Sequence, residues 1–402
     1  MHDVVVIGAG PGGSAAGYYL AKQGLDVLLL DKAGFPRDKT CGDGLTPRAL
    51  TVLEDMGLLN ELLPAGCRLN RVEIASAAGQ TVTAPFPGKN GRPGYTLIVP
   101  RLTLDDTLRR HAITHGAQFQ SQVRVIGVTA NGKGVEVTGK RPGGSFSATA
   151  RVAIVATGAS VPLLQQMGLL KKMPVAALAA RAYFEEVKGL TDAMQLSFAG
   201  VPLPGYGWIF PLPHGAANIG AGIFPWGWAG RWMSRNTRQA FDSFIQTPQL
   251  REMLAGARQV GPVKGYPLRM DFLTAPTYAE RTLLVGEAAG LVNPLTGEGI
   301  DYALESGKVA AEHLLRLFAA TDFSLPRLAD YDRLLRQRFQ RLFRVCSLTR
   351  NLFVNPLLIN PMVRLAARRP DLKMVLIRIA FGEQNTLENI TVRRVLRRVF
   401  AG

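Results

Sequence analysis

The sequence predicts an α/β fold: a Rossmann-like parallel sheet, an inserted antiparallel β-sheet domain and a helical C-terminal region. Three observations carry this. A strand, a glycine-rich turn, a helix, a second strand and an acid follow one another within about thirty residues. Between about 174 and 270 the chain changes to short strand-like runs parted by Pro and Gly. After 327 it turns helical and rich in arginine.

Length and composition bound the rest. A chain of 402 residues holds two or three compact units. Apolar residues make up 47% and charged residues only 19%, below the ~25% usual in soluble domains. That excludes a disordered chain. The net charge of +17 suits an anionic partner. Cys41, Cys67 and Cys346 are too few and too scattered for a disulfide framework or a zinc site, so a reducing, cytosolic setting is expected. The strand pattern begins at once, so no signal peptide is expected. No run of 18 uncharged apolar residues offers a spanning helix.

Taken in order, residues 3–7 (DVVVI) are a buried strand, 8–13 a glycine turn, 14–23 an Ala-rich helix and 27–30 a second strand. Residues 32–47 form a polar loop too long for a casual connection. Residues 68–99 suggest an inserted hairpin, 101–115 a helix, and 119–155 further strands. Residues 152–158 (VAIVATG) and 281–286 are buried strands, and a long helix starts near Gly299. The expected units are a discontinuous dinucleotide-binding domain (1–70, 97–165 and 275–320), a substrate domain (71–96 and 166–274) and a basic helical region (321–402).

Gly8, Gly10 and Gly13 make G-x-G-x-x-G, trailed by Asp31 at the end of the next strand. Gly8 permits the tight turn, Gly10 lets backbone approach a pyrophosphate, and Gly13 lets helix and strand pack closely. The helix N-terminus offers free N–H groups to phosphates. Asp31 can accept hydrogen bonds from an adenosine ribose. Two later stretches favour FAD over NAD. One is the strand ending Ala156-Thr157-Gly158. The other runs from Gly286-Glu287 to Gly297-Glu298-Gly299-Ile300. There a strand ends in an acid that can meet a ribityl hydroxyl. A new helix N-terminus near Gly299 can face the flavin pyrimidine and favour negative charge on it.

GAGPGGS near the start, Arg101 opening RLTLDDTL, PGYGWIFP and GEAAGLVNPLTGEGI together resemble the geranylgeranyl reductase family. That family belongs to the FAD-dependent group that includes the aromatic hydroxylases. The resemblance covers roughly residues 1–320. PRDKTCGDGLTPRA looks most like its menaquinone prenyl-chain reductases; chlorophyll-type members usually read CGG where this chain has Cys41-Gly42-Asp43-Gly44. Glu287 stands where the family usually has Asp. The resemblance implies a glutathione-reductase-type FAD domain and an FAD-dependent reductase. It would saturate isolated C=C bonds of a prenyl chain, such as that of menaquinone or another geranylgeranyl-type lipid, with hydride from reduced FAD plus a proton. It also implies that Arg101 binds FAD; Lys32, Cys41 and Gly42 are further candidates for the cofactor, and Arg37 and Lys39 can bind either FAD phosphates or an anionic group on the substrate.

An isolated trisubstituted alkene is poorly electrophilic, so the site must be dry, apolar and hold an acid that stays protonated. Placement against the flavin face is most of the task. Cys41 is the first candidate donor, since an ordinary thiol, pKa ~8.5, is protonated at neutral pH. Arg37 and Lys39 would favour its thiolate if close; a small buried hydrophobe is the plainer alternative. Tyr206, Trp208 and Phe210 alternate, so on a strand they share one face and can line a slot over the flavin. The alternative is ordinary sheet core. His111 and His115 stand i, i+4 on a helix, but no third ligand completes a metal site, and a solvated helix face is the simpler reading.

Residues 327–402 hold sixteen basic residues, including Arg378, Arg393, Arg394, Arg397 and Arg398, against five acidic ones. Leu335, Phe339, Leu342, Phe343 and Cys346 recur at helical spacing. Two readings stand: helices lying on an anionic membrane at the inner face of the cell membrane, or an amphipathic helix packed on the FAD domain. Nucleic acid is not expected as the anion, because no nucleic-acid motif is present. The expected electron donor is NAD(P)H or a ferredoxin, with a quinol as the third option. Two rivals remain: an FAD-dependent aromatic monooxygenase, which would need polar groups to orient a phenol, and a non-enzymatic prenyl-binding escort, which the intact glycine motif disfavours.

Overall fold

The fold is described from a computed structural model, for residues 1–86, 88, 93–174, 176–225, 236–354, 357–370, 372–374 and 377. The β-branched run at the start forms the strand His2–Ile7. It lies between Val27–Leu30 and Gly144–Val155, parallel to both. Thr282–Leu284 adds on one side and Gln118–Gln120 on the other, also parallel. Val4 to Ile7, Val27 to Leu30 and Val152 to Val155 are buried without alternation, as in a parallel sheet covered on both faces. Helix Pro11–Ala21 packs between Arg101–Thr114 and Ile300–Ala320. Residues 124–155 fold as a meander, Arg124–Asn131 and Gly134–Arg141 leading antiparallel into Gly144–Val155.

A second sheet of seven strands has the order Arg258–Arg269, Ala176–Glu185, Ala217–Ile223, Gly205–Pro211, Ala193–Ser197, Arg71–Ala75, Thr81–Pro85. It departs from the expected antiparallel sheet at one seam: Ala193–Ser197 runs parallel to Arg71–Ala75. The hairpin expected over 68–99 is split. Arg71–Ala75 and Thr81–Pro85 join this sheet, while Cys67–Leu69 and Thr96–Ile98 form a small sheet with Gly44–Leu45. Two helices, Thr237–Ile245 and Pro248–Met253, cover one face where only strands were expected. Their amphipathic runs are too short to stand out beside the Pro- and Gly-broken strands.

The tail is helical, as Leu325–Phe353 and Ile359–Arg368. Leu335, Phe339, Leu342, Phe343 and Cys346 are buried against the body, where Phe339 and Phe343 meet Tyr302 edge-on. This stripe is therefore core rather than a lipid-facing surface, since helix Ile300–Ala320 exposes apolar area that the arginine-free face of Leu325–Phe353 fills. Arg378, Arg393, Arg394, Arg397 and Arg398 lie outside the described residues. Among the described residues no helix is long and apolar enough to cross a membrane.

Candidate flavin and substrate site

The glycines of the first turn are demanded by their surroundings. Gly8 has φ +109°, and a Cβ on it would stand 2.4 Å from the Ala156 carbonyl oxygen. A Cβ on Gly13 would stand 1.8 Å from the Gly8 carbonyl oxygen. At Gly10 only the Arg37 guanidinium comes within 4 Å, so its open side faces the cavity and backbone can approach a ligand. Asp31 accepts from the N–H groups of Ala9 and Ala33, each at 2.9 Å. These bonds fix a carboxylate beside the turn, where an adenosine ribose needs an acceptor. Lys32 lies exposed on the cavity rim.

Arg101 opens its helix buried, with Nε and Nη2 donating to the two oxygens of Asp105 at 2.6 and 2.7 Å. Arg37 Nη1 meets Asp105 at 2.8 Å, and Arg37 Nη2 lies 3.6 Å from Asp31. Burial alone would lower the Arg101 guanidinium, but the charge and hydrogen bonds of Asp105 beside it hold it above its ordinary range. Cys41, Arg37 and Arg101 line the same cavity.

The opposite wall comes from the second glycine stretch. Glu287 Oε1 accepts from the Arg269 N–H at 3.0 Å, and Oε2 lies 3.3 Å from Lys39 Nζ. Gly158, at φ +65°, brings backbone beside Glu287, and a Cβ there would stand 3.5 Å from Oε2. Gly286 and Gly297 also take positive φ. Gly299 caps the helix that Ile300 begins. Lys39, Glu287, Gly158, Gly286, Gly297, Gly299 and Ile300, with Ala156, line one cavity of about 660 Å³.

Another part of that cavity is lined by aromatic side chains. Tyr206, Trp208 and Phe210 share a face of Gly205–Pro211, with ring centroids 6.3 and 6.2 Å apart in sequence. They line it together with Cys41, Gly42 and Gly44. A Cβ on Gly42 would stand 2.9 Å from the Phe210 ring, and one on Gly220 would stand 2.2 Å from the Trp208 ring. The aromatic wall therefore closes directly on glycine backbone. The Tyr206 hydroxyl donates to the Thr296 carbonyl, and burial pushes it above its ordinary range. Glu298, also on the wall, is held well above the carboxylate range by burial and then by Asp301.

The remaining candidates lie elsewhere. Cys67 sits in the small sheet, and burial raises its thiol. Cys346 is buried on the long helix, its thiol pushed up to about 12 by burial. His111 Nε2 bonds the Met56 carbonyl oxygen, and the ring stacks on Tyr18. Among the described residues no group is arranged to hold a metal. Sequence reasoning missed Asp105, Lys39 as the partner of Glu287, and a buried set formed by Asp43, Tyr183 and Asn218. Periodicity carries no signal for a buried ion pair; the only hint was the unusual Asp in Cys41-Gly42-Asp43-Gly44.

The glycine cradle, the Asp31 carboxylate beside it and the second acid-bearing loop fit FAD, and with the parallel sheet they define an FAD-binding oxidoreductase. A family model for the FAD binding domain matches residues 1–322. A menaquinone reductase of Mycolicibacterium smegmatis is 34% identical, over 94% of this chain and 90% of its own length. A digeranylgeranylglycerophospholipid reductase of Methanopyrus kandleri is 29% identical, over 85% and 88%. The crystal structure of a geranylgeranyl bacteriochlorophyll reductase-like protein from Thermoplasma acidophilum superposes with a TM-score of 0.76, at 22% identity, covering 100% of this chain and 96% of that one. The chain belongs to the FAD-dependent geranylgeranyl reductase family, whose members are oxidoreductases acting on CH–CH groups. The escort reading gives way to an enzyme.

Proposed function

We propose that the protein saturates isolated C=C bonds in the prenyl chain of a menaquinone-type lipid. One observation carries the reading: the apolar wall of Tyr206, Trp208 and Phe210 faces the Cys41–Gly44 loop inside the same cavity as the dinucleotide cradle. A phenol-oriented monooxygenase pocket would need polar groups on that wall, where rings and small residues stand. The mycobacterial relative's name supports a quinone substrate.

When bound and reduced, FAD supplies hydride to one alkene carbon. The protein's part is binding, placement and a proton. Gly8, Gly10 and Gly13 admit the pyrophosphate, Asp31 takes the ribose, and Glu287 takes a ribityl hydroxyl. The aromatic strand presses the isoprenoid against the flavin face and excludes water. Cys41, on the same wall, gives its thiol proton to the second carbon and is reprotonated from solvent. The electrons come from NAD(P)H or a ferredoxin. The tail arginines draw the protein to an anionic membrane surface, where a prenyl lipid resides.

The test is expression in a host that makes fully unsaturated menaquinone, followed by mass spectrometry of its isoprenoid quinones. Gain of two hydrogens in the menaquinone pool is the expected result. An unchanged pool together with a yellow, flavin-loaded protein would overturn the quinone assignment.

A further inference from the structure

Asn218, fully buried, stands at the crossing of three hydrogen bonds. Its Oδ1 accepts from Trp208 Nε1 at 2.9 Å. Its Nδ2 donates to the Cys41 carbonyl oxygen and to Asp43 Oδ2, both at 2.7 Å. Asp43 Oδ2 also accepts from the Tyr183 hydroxyl at 2.7 Å. Asp43 itself is buried, takes φ +66°, and its Oδ1 has no hydrogen-bond partner.

The chemistry of these groups sets the direction of the chain. An indole N–H only donates, so Trp208 needs the oxygen of the Asn218 amide. If the amide turned over, its NH2 would face that N–H, donor against donor. Two acceptors, the Cys41 carbonyl and Asp43, hold the NH2 on the other side. Trp208 has little other freedom, since Gly220 lies under its ring and Gly42 lies 3.5 Å from Nε1 if a Cβ is built there.

We propose that Asp43 is a positioning residue for alkene reduction, acting through Asn218 to orient Trp208 and to hold the Cys41 loop against it. This rests on the alkene-reductase reading. Asp43 works as an acceptor, not as a source of protons. It does not line the cavity. Glycine and asparagine both tolerate its backbone conformation, so two clean substitutions separate these roles. Asp43→Gly removes the acceptor. Asp43→Asn keeps one oxygen for Asn218 and Tyr183 and turns its NH2 toward the side where Oδ1 now has no partner.

The test uses the FAD-loaded full chain labelled with 5-fluorotryptophan, the Trp208 resonance being assigned by Trp208→Phe. Turnover is followed on a fully unsaturated prenylated naphthoquinone in detergent, with dithionite as reductant. Asp43→Gly is expected to keep its flavin spectrum, to move the Trp208 resonance, and to lose turnover by on the order of ten- to a hundredfold. Asp43→Asn is expected to restore the resonance and most of the turnover. Asn218→Ala breaks the same link at its middle, so it should move the resonance alike, and the double variant should be no worse than either single one. A Trp208 resonance unmoved in Asp43→Gly or in Asn218→Ala would overturn the proposal, as would Asp43→Asn as impaired as Asp43→Gly. Absence of turnover in the wild type would instead strike the substrate reading, with the resonance arm still deciding this one.

Discussion

Asp105 binds two arginines at once: Arg101 from its own helix through both oxygens, and Arg37 from the loop after the second strand at 2.8 Å. It is fully buried, and Arg101 is almost so. Removing it strands buried positive charge, a change that typically costs about 3–5 kcal/mol. Asp105→Ala should therefore lower the melting temperature sharply. It should also weaken FAD binding, because both guanidinium groups lose their anchor. Calorimetry and flavin titration of the apoprotein check both; a normal flavin affinity would remove Asp105 from the cofactor wall.

Two glycine substitutions test whether the dinucleotide cradle and the aromatic wall act separately. Gly13→Ala drives a Cβ into the Gly8 carbonyl and should yield colourless protein. Gly220→Ala pushes on the Trp208 ring and should yield yellow protein with alkene reduction lowered by on the order of a hundredfold. Absorbance spectra and a turnover assay distinguish them. Equal loss of flavin in both would show that the two halves do not act separately.

Cys41→Ala should bind FAD and prenyl substrate while losing alkene reduction. Cys41→Ser keeps a hydroxyl of far lower acidity and should recover little. Single-turnover oxidation of the reduced flavin by the prenyl lipid measures the step. Full turnover by Cys41→Ala would end the donor role.

Asp43 gives a signed pH dependence. Burial pushes its carboxyl up to about 6, and the bonds from Tyr183 and Asn218 and the charges of Arg181 and Arg101 only partly offset this. The folded protein then holds a proton that the unfolded chain, with an ordinary value near 3.8, releases. The resulting stabilisation is complete below about pH 4 and lost as pH rises through about 6, by at most ~1.4 kcal/mol per unit. Urea unfolding at several pH values should show this slope in the wild type and its loss in Asp43→Asn. Parallel curves would assign the titration to another group.

The arginines at 393, 394, 397 and 398 lie in the most basic stretch of the tail. Their replacement by serine should weaken sedimentation with anionic vesicles at low salt and leave neutral vesicles unaffected. Equal binding of both forms would remove these arginines from the membrane contact.

Much of this site was legible in the chain. Gly8, Gly10, Gly13 and Asp31 are local, and their spacing states their geometry. Tyr206, Trp208 and Phe210 announced a shared face by alternation, and the structure puts all three on the cavity. What stayed hidden was pairing across long separations. Lys39 with Glu287, Arg37 with Asp105 and Asp43 with Asn218 join segments that no periodicity relates. The tail stayed undecided between its two readings for a related reason. An apolar stripe such as Leu335, Phe339 and Phe343 has the same spacing whether it meets lipid or another helix, and only Tyr302 and Phe272 show which.

The parallel seam between Arg71–Ala75 and Ala193–Ser197 has a consequence for dissection and for synthesis. Residues 166–274 excised alone would leave Ala193–Ser197 as a bare sheet edge, a template for pairing with other copies. During synthesis, the early hairpin must wait for more than a hundred further residues before its partner strand exists. Its contacts span more than a hundred residues, which makes completion of the seven-stranded sheet a late folding event.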